Sequence, residues 1–97
     1  MIYKDIVDHY ENCYKQHGDS HLGVDWPNKT DADTRYRIMT EGVEYCGGDS
    51  ILDFGCGLAH YYEYLTKQDK NYYYEGLELS KSMFDRCIQK HPFFYFL

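Results

Sequence analysis

An α/β fold is what this sequence predicts: a half-sheet of three parallel strands in the order 3-2-1, flanked by helices and preceded by a helical extension. Three observations carry that expectation. Residues 51–60, ILDFGCGLAH, read as an apolar strand that ends on an acid and breaks at once into a glycine-rich turn. Residues 72–80, YYYEGLELS, read as a second strand ending in another acid, Glu78, followed by a capping serine, Ser80. Residues 93–97, FFYFL, form an apolar run long enough for a third strand. Helical patterns between these segments make two strand-helix-strand units, and right-handed crossovers impose the strand order.

The elements follow in chain order. Tyr3, Ile6, Val7, Tyr10 and Tyr14 fall at helical spacing and predict an amphipathic first helix that ends by Gly18. Residues 18–28 read as a loop with Trp26 as its large anchor. Thr30, with Asp33 three residues on, predicts the cap of a second helix whose buried face is Tyr36, Met39 and Val43. Gly47, Gly48 and Asp49 then turn the chain into the first strand, where Ile51, Leu52 and Phe54 suit burial on both faces. Gly55 and Gly57 allow a sharp turn and close approach to a ligand. Leu58, Tyr61, Tyr62 and Leu65 give the inward stripe of the next helix, over residues 58–68. Met83, Phe84, Cys87 and Ile88 give that of the helix after Ser80, which His91 and Pro92 stop. The chain thus divides into a helical lead-in, residues 1–48, and a βαβαβ half, residues 49–97, within one Rossmann-like domain.

Charge and cysteine usage narrow the function. The net charge of -6 disfavours unassisted binding to a nucleic acid backbone, which needs clustered Lys and Arg. No apolar run approaches the roughly 20 residues needed to span a bilayer, and the first residues lack the apolar core of a signal peptide, so a cytoplasmic protein is expected. Cys13, Cys46, Cys56 and Cys87 show no C-x-x-C pairing and read as free thiols. His17 and His21 are four apart, but Gly18, Asp19 and Ser20 between them favour a turn. No metal site is expected from these spacings.

An acid about 20 residues beyond a glycine turn is the dinucleotide-type arrangement, where the acid holds ribose hydroxyls. The NAD fingerprint needs a third glycine, however, and His60 stands there. The residues instead resemble the class I S-adenosylmethionine-dependent methyltransferase family. Its first motif is matched by Ile51, Leu52, Asp53, Phe54, Gly55, Cys56 and Gly57, and its second by Gly76, Leu77, Glu78, Leu79 and Ser80. Ala59 occupies a position where glycine is more usual. The segment from Gly23 to Met39, with its tryptophan loop and Arg35-Tyr36-Arg37, is similar to the lead-in of some members. The likeness takes in nearly all of this sequence but only the N-terminal half of the family's domain.

The resemblance implies S-adenosylmethionine as cofactor and assigns roles. Gly55 and Gly57 lie near its amino acid part, Asp53 near its ammonium and Glu78 on the ribose diol, with Cys56 and Leu79 in the same contact set. Trp26 covers the sulfonium or is simply a packing anchor. Arg35 or Arg37 pairs with the methionine carboxylate, or either is a solvated partner of Asp31 or Asp33. Tyr10 and Tyr14 reach the pocket mouth or pack along their helix. No catalytic residue or methyl acceptor is assigned, because the family's acceptor-positioning groups follow later strands. The expected protein is therefore the cofactor-binding half of a methyltransferase that needs a partner for methyl transfer. That partner is a second copy, pairing first strand to first strand, or a chain supplying the remaining strands. The rival is a non-catalytic module that binds the cofactor or another protein.

Overall fold

The computed structural model describes residues 2–42, 49–68, 72–92 and 95–96. Helix α1 (Ile2–His17) ends where Gly18 takes a φ of +67° and returns its N–H to the Tyr14 carbonyl at 2.7 Å, the usual glycine stop. A 3-10 turn (Leu22–Val24) and helix α2 (Lys29–Gly42) follow. Strand β1 (Ser50–Phe54), helix α3 (His60–Thr66), strand β2 (Tyr73–Leu77), helix α4 (Lys81–Lys90) and strand β3 (Tyr95–Phe96) complete the chain.

The sheet is small: two strands of five residues and the two-residue β3, all parallel, in the order β1-β2-β3. Of the expected third strand, only Tyr95 and Phe96 lie within the described residues. β1 and β2 run in register from Ser50 beside Tyr73 to Phe54 beside Leu77, so Asp53 sits next to Gly76. Ile51 and Tyr74 project to one face, where they pack with Tyr61 and Leu65 of α3 and Cys87 of α4.

The opposite face differs from the sequence expectation. Leu52 is 59% exposed, Phe54 80% and Tyr73 71%, so β1 is buried on one face and open on the other. The cause is topological. Both crossovers have the same hand, so α3 and α4 cover the same side of the sheet, and among the described residues nothing covers the other. The residues suit double burial, but the described residues supply one covering layer.

Three further local expectations are corrected. Asn28, not Thr30, caps α2: its Oδ1 accepts the Asp31 N–H at 2.7 Å, and its amide donates back to the Asp31 carboxylate at 2.9 Å. The helix therefore begins two residues earlier than expected, just after Pro27 and Asn28, and Asp33 pairs with Lys29 instead. The buried residue of α2 is Ala32, while Tyr36 is half-buried and Met39 is exposed; Val43 lies outside the described residues. The contact between α2 and α3 is made by rings, with Tyr36 5.5 Å from Tyr61 and 5.9 Å from Tyr64 between centroids. Met39 borders a cleft instead of entering the core. On α4, likewise, Met83 and Cys87 are buried but Ile88 is exposed.

Candidate cofactor site

The turn after β1 is shaped by alternating left-handed residues: Gly55 at φ +76°, Gly57 at +59° and Ala59 at +62°. Gly55 and Cys56 both donate their N–H to the Leu77 carbonyl, at 2.8 and 3.0 Å, which ties the turn to the end of β2. A side chain at Gly55 would meet nothing within 4 Å, so its absence opens the cleft there. At Gly57 a Cβ would lie 3.2 Å from Val24, so the turn also abuts the lead-in. Ala59 explains why glycine suits that position: alanine in the left-handed region costs about 1 kcal/mol, which its full burial helps to offset.

Glu78 is bound by the turn it faces. Its Oε1 accepts the Gly57 N–H at 2.8 Å and its Oε2 the Ser80 N–H at 2.9 Å, leaving lone pairs on both oxygens for a ligand diol. Ser80 is fully buried, caps α4 by accepting from Met83 N–H at 3.4 Å, and donates to Glu11 of α1 at 2.9 Å. Asp53 accepts the Tyr74 hydroxyl at 2.6 Å. Burial pushes the Asp53 carboxyl above its usual range against the opposing Tyr74 bond, and the nearby Glu78 charge adds to the rise. Two carboxylates facing a largely apolar space favour a cationic ligand.

These groups share one cavity of about 600 Å³, within the range of small-molecule sites. Asp53, Gly55, Cys56, Gly57, Glu78 and Leu79 line it from the sheet end, and Trp26 from the loop, so the structure brings these sequence-identified residues together. Arg35 stays outside that lining, its guanidinium 4.9 Å from the Trp26 ring centroid, and Arg37 pairs with Glu41 on the exposed side of α2. Cys56 is buried, and its thiol and that of Cys87 both face the Gly57 carbonyl, at 3.9 and 3.2 Å. The Cys87 contact and burial push the Cys56 thiol upward, so it is a core thiol under the turn rather than a nucleophile. Tyr10 lines the mouth of the cavity, whereas Tyr14 does not.

The opposing wall escapes a motif search. Ile6 and Val7 of α1, Val24 beyond it, and Tyr36 and Met39 of α2 close the cavity. Their sequence signals are the apolar stripes of the first two helices, and Ile6, Tyr10 and Met39 remain exposed because they border a cleft.

An ionic cluster fastens that wall to the turn. Asp19, in the loop after α1, bonds His60 at 2.7 Å, Lys90 at 2.9 Å and Arg86 at 3.1 Å. Lys90 also reaches Glu63 at 2.9 Å and the Leu58 carbonyl at 2.7 Å. His60, the residue that breaks the dinucleotide fingerprint, is therefore a tether between lead-in and α3. Burial opposes the ionised form of Asp19, but the bonds from His60, Lys90 and Arg86 outweigh it and hold its pKa at about 2. A depressed folded-state pKa stabilises the fold fully above the unfolded value near 3.9 and loses that stabilisation as pH falls toward 2. Asp19→Asn is expected to cost about 1 kcal/mol at neutral pH, discounted for solvent screening. Denaturant titrations should show the gap from the unaltered chain closing between about pH 4 and 2.

These elements define a Rossmann-like α/β fold with a short parallel sheet. Among solved structures the chain is similar to a TehB-like SAM-dependent methyltransferase from Corynebacterium glutamicum, with a TM-score of 0.58 and 24% identity. The match takes in 93% of this chain and 44% of that one, so this chain spans less than half the length of its structural relative. At that identity the likeness establishes the fold. No protein-family profile matches the chain, and no curated protein does. Among the described residues no helix is long and apolar enough to cross a membrane.

Proposed function

We propose that this chain binds S-adenosylmethionine and forms the cofactor-binding half of a methyltransferase. The observation that carries the reading is the placement of Asp53 and Glu78. They stand at the ends of adjacent parallel strands, on either side of a glycine turn, in one cavity of about 600 Å³. Glu78, fixed by two backbone amides, accepts the ribose hydroxyls. Asp53, held by Tyr74, faces the ammonium, and the open space at Gly55 lets the ligand lie against the backbone. The bound cofactor supplies a methyl group activated by its sulfonium. The chain's part is to orient that group and exclude water around it, since in-line displacement depends chiefly on alignment. Trp26 borders the same cavity and offers a ring to the cationic end of the ligand.

Calorimetric titration tests the reading. S-adenosylmethionine and its demethylated product should each bind with one-to-one stoichiometry, and NAD should give no heat because His60 replaces the third glycine. Absence of heat with all three would overturn the assignment.

The open sheet face favours a protein partner for the transfer step. Among the described residues, Leu52, Phe54 and Tyr73 expose an apolar layer beside an edge of β1 that pairs with no strand, and such an edge is a template for strand addition. A second copy pairing β1 to β1 about a two-fold axis, or a polypeptide carrying further strands, would cover it. Light scattering at twice the chain mass would support the copy, and a monomer would point to the other polypeptide. The same face supports a second reading, a cofactor-binding or protein-interaction module that transfers no methyl group.

A further inference from the structure

We propose that His9, Cys13 and Asp25 form a three-ligand site for a thiophilic divalent cation of the zinc type, joining α1 to the loop that walls the cleft. His9 and Cys13 are four residues apart on α1 and share one helix face. Their donor atoms, Nε2 and Sγ, lie 3.8 Å apart, and His9 Nε2 is 2.8 Å from Asp25 Oδ2. All three donor atoms fall within 4.8 Å of one another. In a tetrahedral zinc site with ordinary bond lengths, such donors are separated by about 3.3 to 3.6 Å. Small side-chain adjustments therefore convert the cluster into a metal cradle.

The loop half of the cluster is already fixed. Asp25 takes the left-handed conformation, at φ +64°, and donates its N–H to the Leu22 carbonyl, while Trp26 donates to the His21 carbonyl. The carboxylate is thereby presented to α1 by backbone geometry. The His9 and Asp25 side chains are 56% and 50% exposed and Cys13 is half-buried, which leaves an entry path and room for solvent to complete the coordination. One thiol, one imidazole and one carboxylate select a zinc-like ion over magnesium or calcium, which take oxygen ligands. Binding replaces the thiol proton with the metal, so a proton is released to solvent. Because Tyr10 and Val7 on one side and Val24 and Trp26 on the other line the cavity, an ion here would fix the distance between two parts of its wall. Asp25 itself also lines that cavity, so the metal titration is made on the chain without added cofactor.

Cobalt(II) titration of the reduced full chain provides the test. One equivalent should produce the near-ultraviolet thiolate-to-cobalt band and the visible bands of a four-coordinate ion, and zinc should bleach both. Cys13→Ser should lose the thiolate band. His9→Ala and Asp25→Asn should each weaken cobalt binding by about tenfold or more. Melting of the metal-free variants guards against misfolding, and zinc should raise the unfolding temperature of the unaltered chain more than that of Cys13→Ser. A thiolate band that persists in Cys13→Ser belongs to another thiol and would overturn the site, as would the absence of a saturable band in the unaltered chain.

Discussion

Glu78→Ala is expected to destabilise the chain by about 2 to 4 kcal/mol and to weaken S-adenosylmethionine binding by about 1 to 3 kcal/mol. The stability loss comes from the carboxylate's role as acceptor for Gly57 N–H at 2.8 Å and Ser80 N–H at 2.9 Å, in a half-buried setting. Hydrogen bonds to an ionised group are stronger than neutral ones, and an amide left without an acceptor carries its desolvation cost. The two losses fall on the glycine turn and on the entry to α4 together, so they act on both walls of one corner. Glu78→Gln separates structure from recognition: it keeps the size and one acceptor oxygen, so it should retain about half of the stability while losing the charge. Urea denaturation of the free chain and titration at a temperature where both variants remain folded measure the two effects apart. Unchanged stability in Glu78→Ala would mean that the carboxylate does not hold the turn. Unchanged affinity would remove Glu78 from the cofactor site.

The legible part of this site was the part governed by local chemistry. A glycine turn after an apolar strand constrains φ within a few residues, and Gly55 and Gly57 adopt the left-handed values that the residue type permits. Ser80 caps the following helix as its sequence position indicates. Arg35 and the lead-in wall were harder, for a physical reason. A helical stripe such as Ile6, Val7 and Tyr10 reports that a face is apolar and says nothing of what covers it. Here the partner surface is a cleft. Asp19 carries no motif at all. Its importance arises from three basic side chains, His60, Arg86 and Lys90, brought together from α3 and α4, a convergence set by tertiary packing. The exposed Leu52 and Phe54 show the converse limit, since an apolar strand states a demand for cover and cannot state whether the same chain meets it.

A second large loss is expected at a residue outside any motif: Gly23→Ala should cost about 3 kcal/mol or more. Gly23 is buried in the 3-10 turn, where a Cβ would stand 1.9 Å from the Gly18 carbonyl oxygen and 3.1 Å from its carbon. These are backbone atoms, so no rotamer relieves the overlap, and the cost exceeds that of ordinary overpacking. The obstructed carbonyl is itself engaged, accepting the Ser20 N–H at 2.9 Å, and Gly18 closes α1 through the Tyr14 carbonyl at 2.7 Å. Displacing it would loosen the helix end, shift Asp19 away from Lys90 and Arg86, and move Val24 and Trp26 at the cleft. A single methyl group would thus disturb the helix stop, the ionic tether and the cleft wall. Gly42→Ala is the matched control: a Cβ there meets nothing within 4 Å at the end of α2, so the substitution should be neutral or stabilise by up to about 1 kcal/mol. Denaturant midpoints of the two variants, read against the unaltered chain, should move far apart. Equal midpoints would mean that the loop does not close against Gly18 in solution, and the cleft wall that depends on this closure would have to be placed differently.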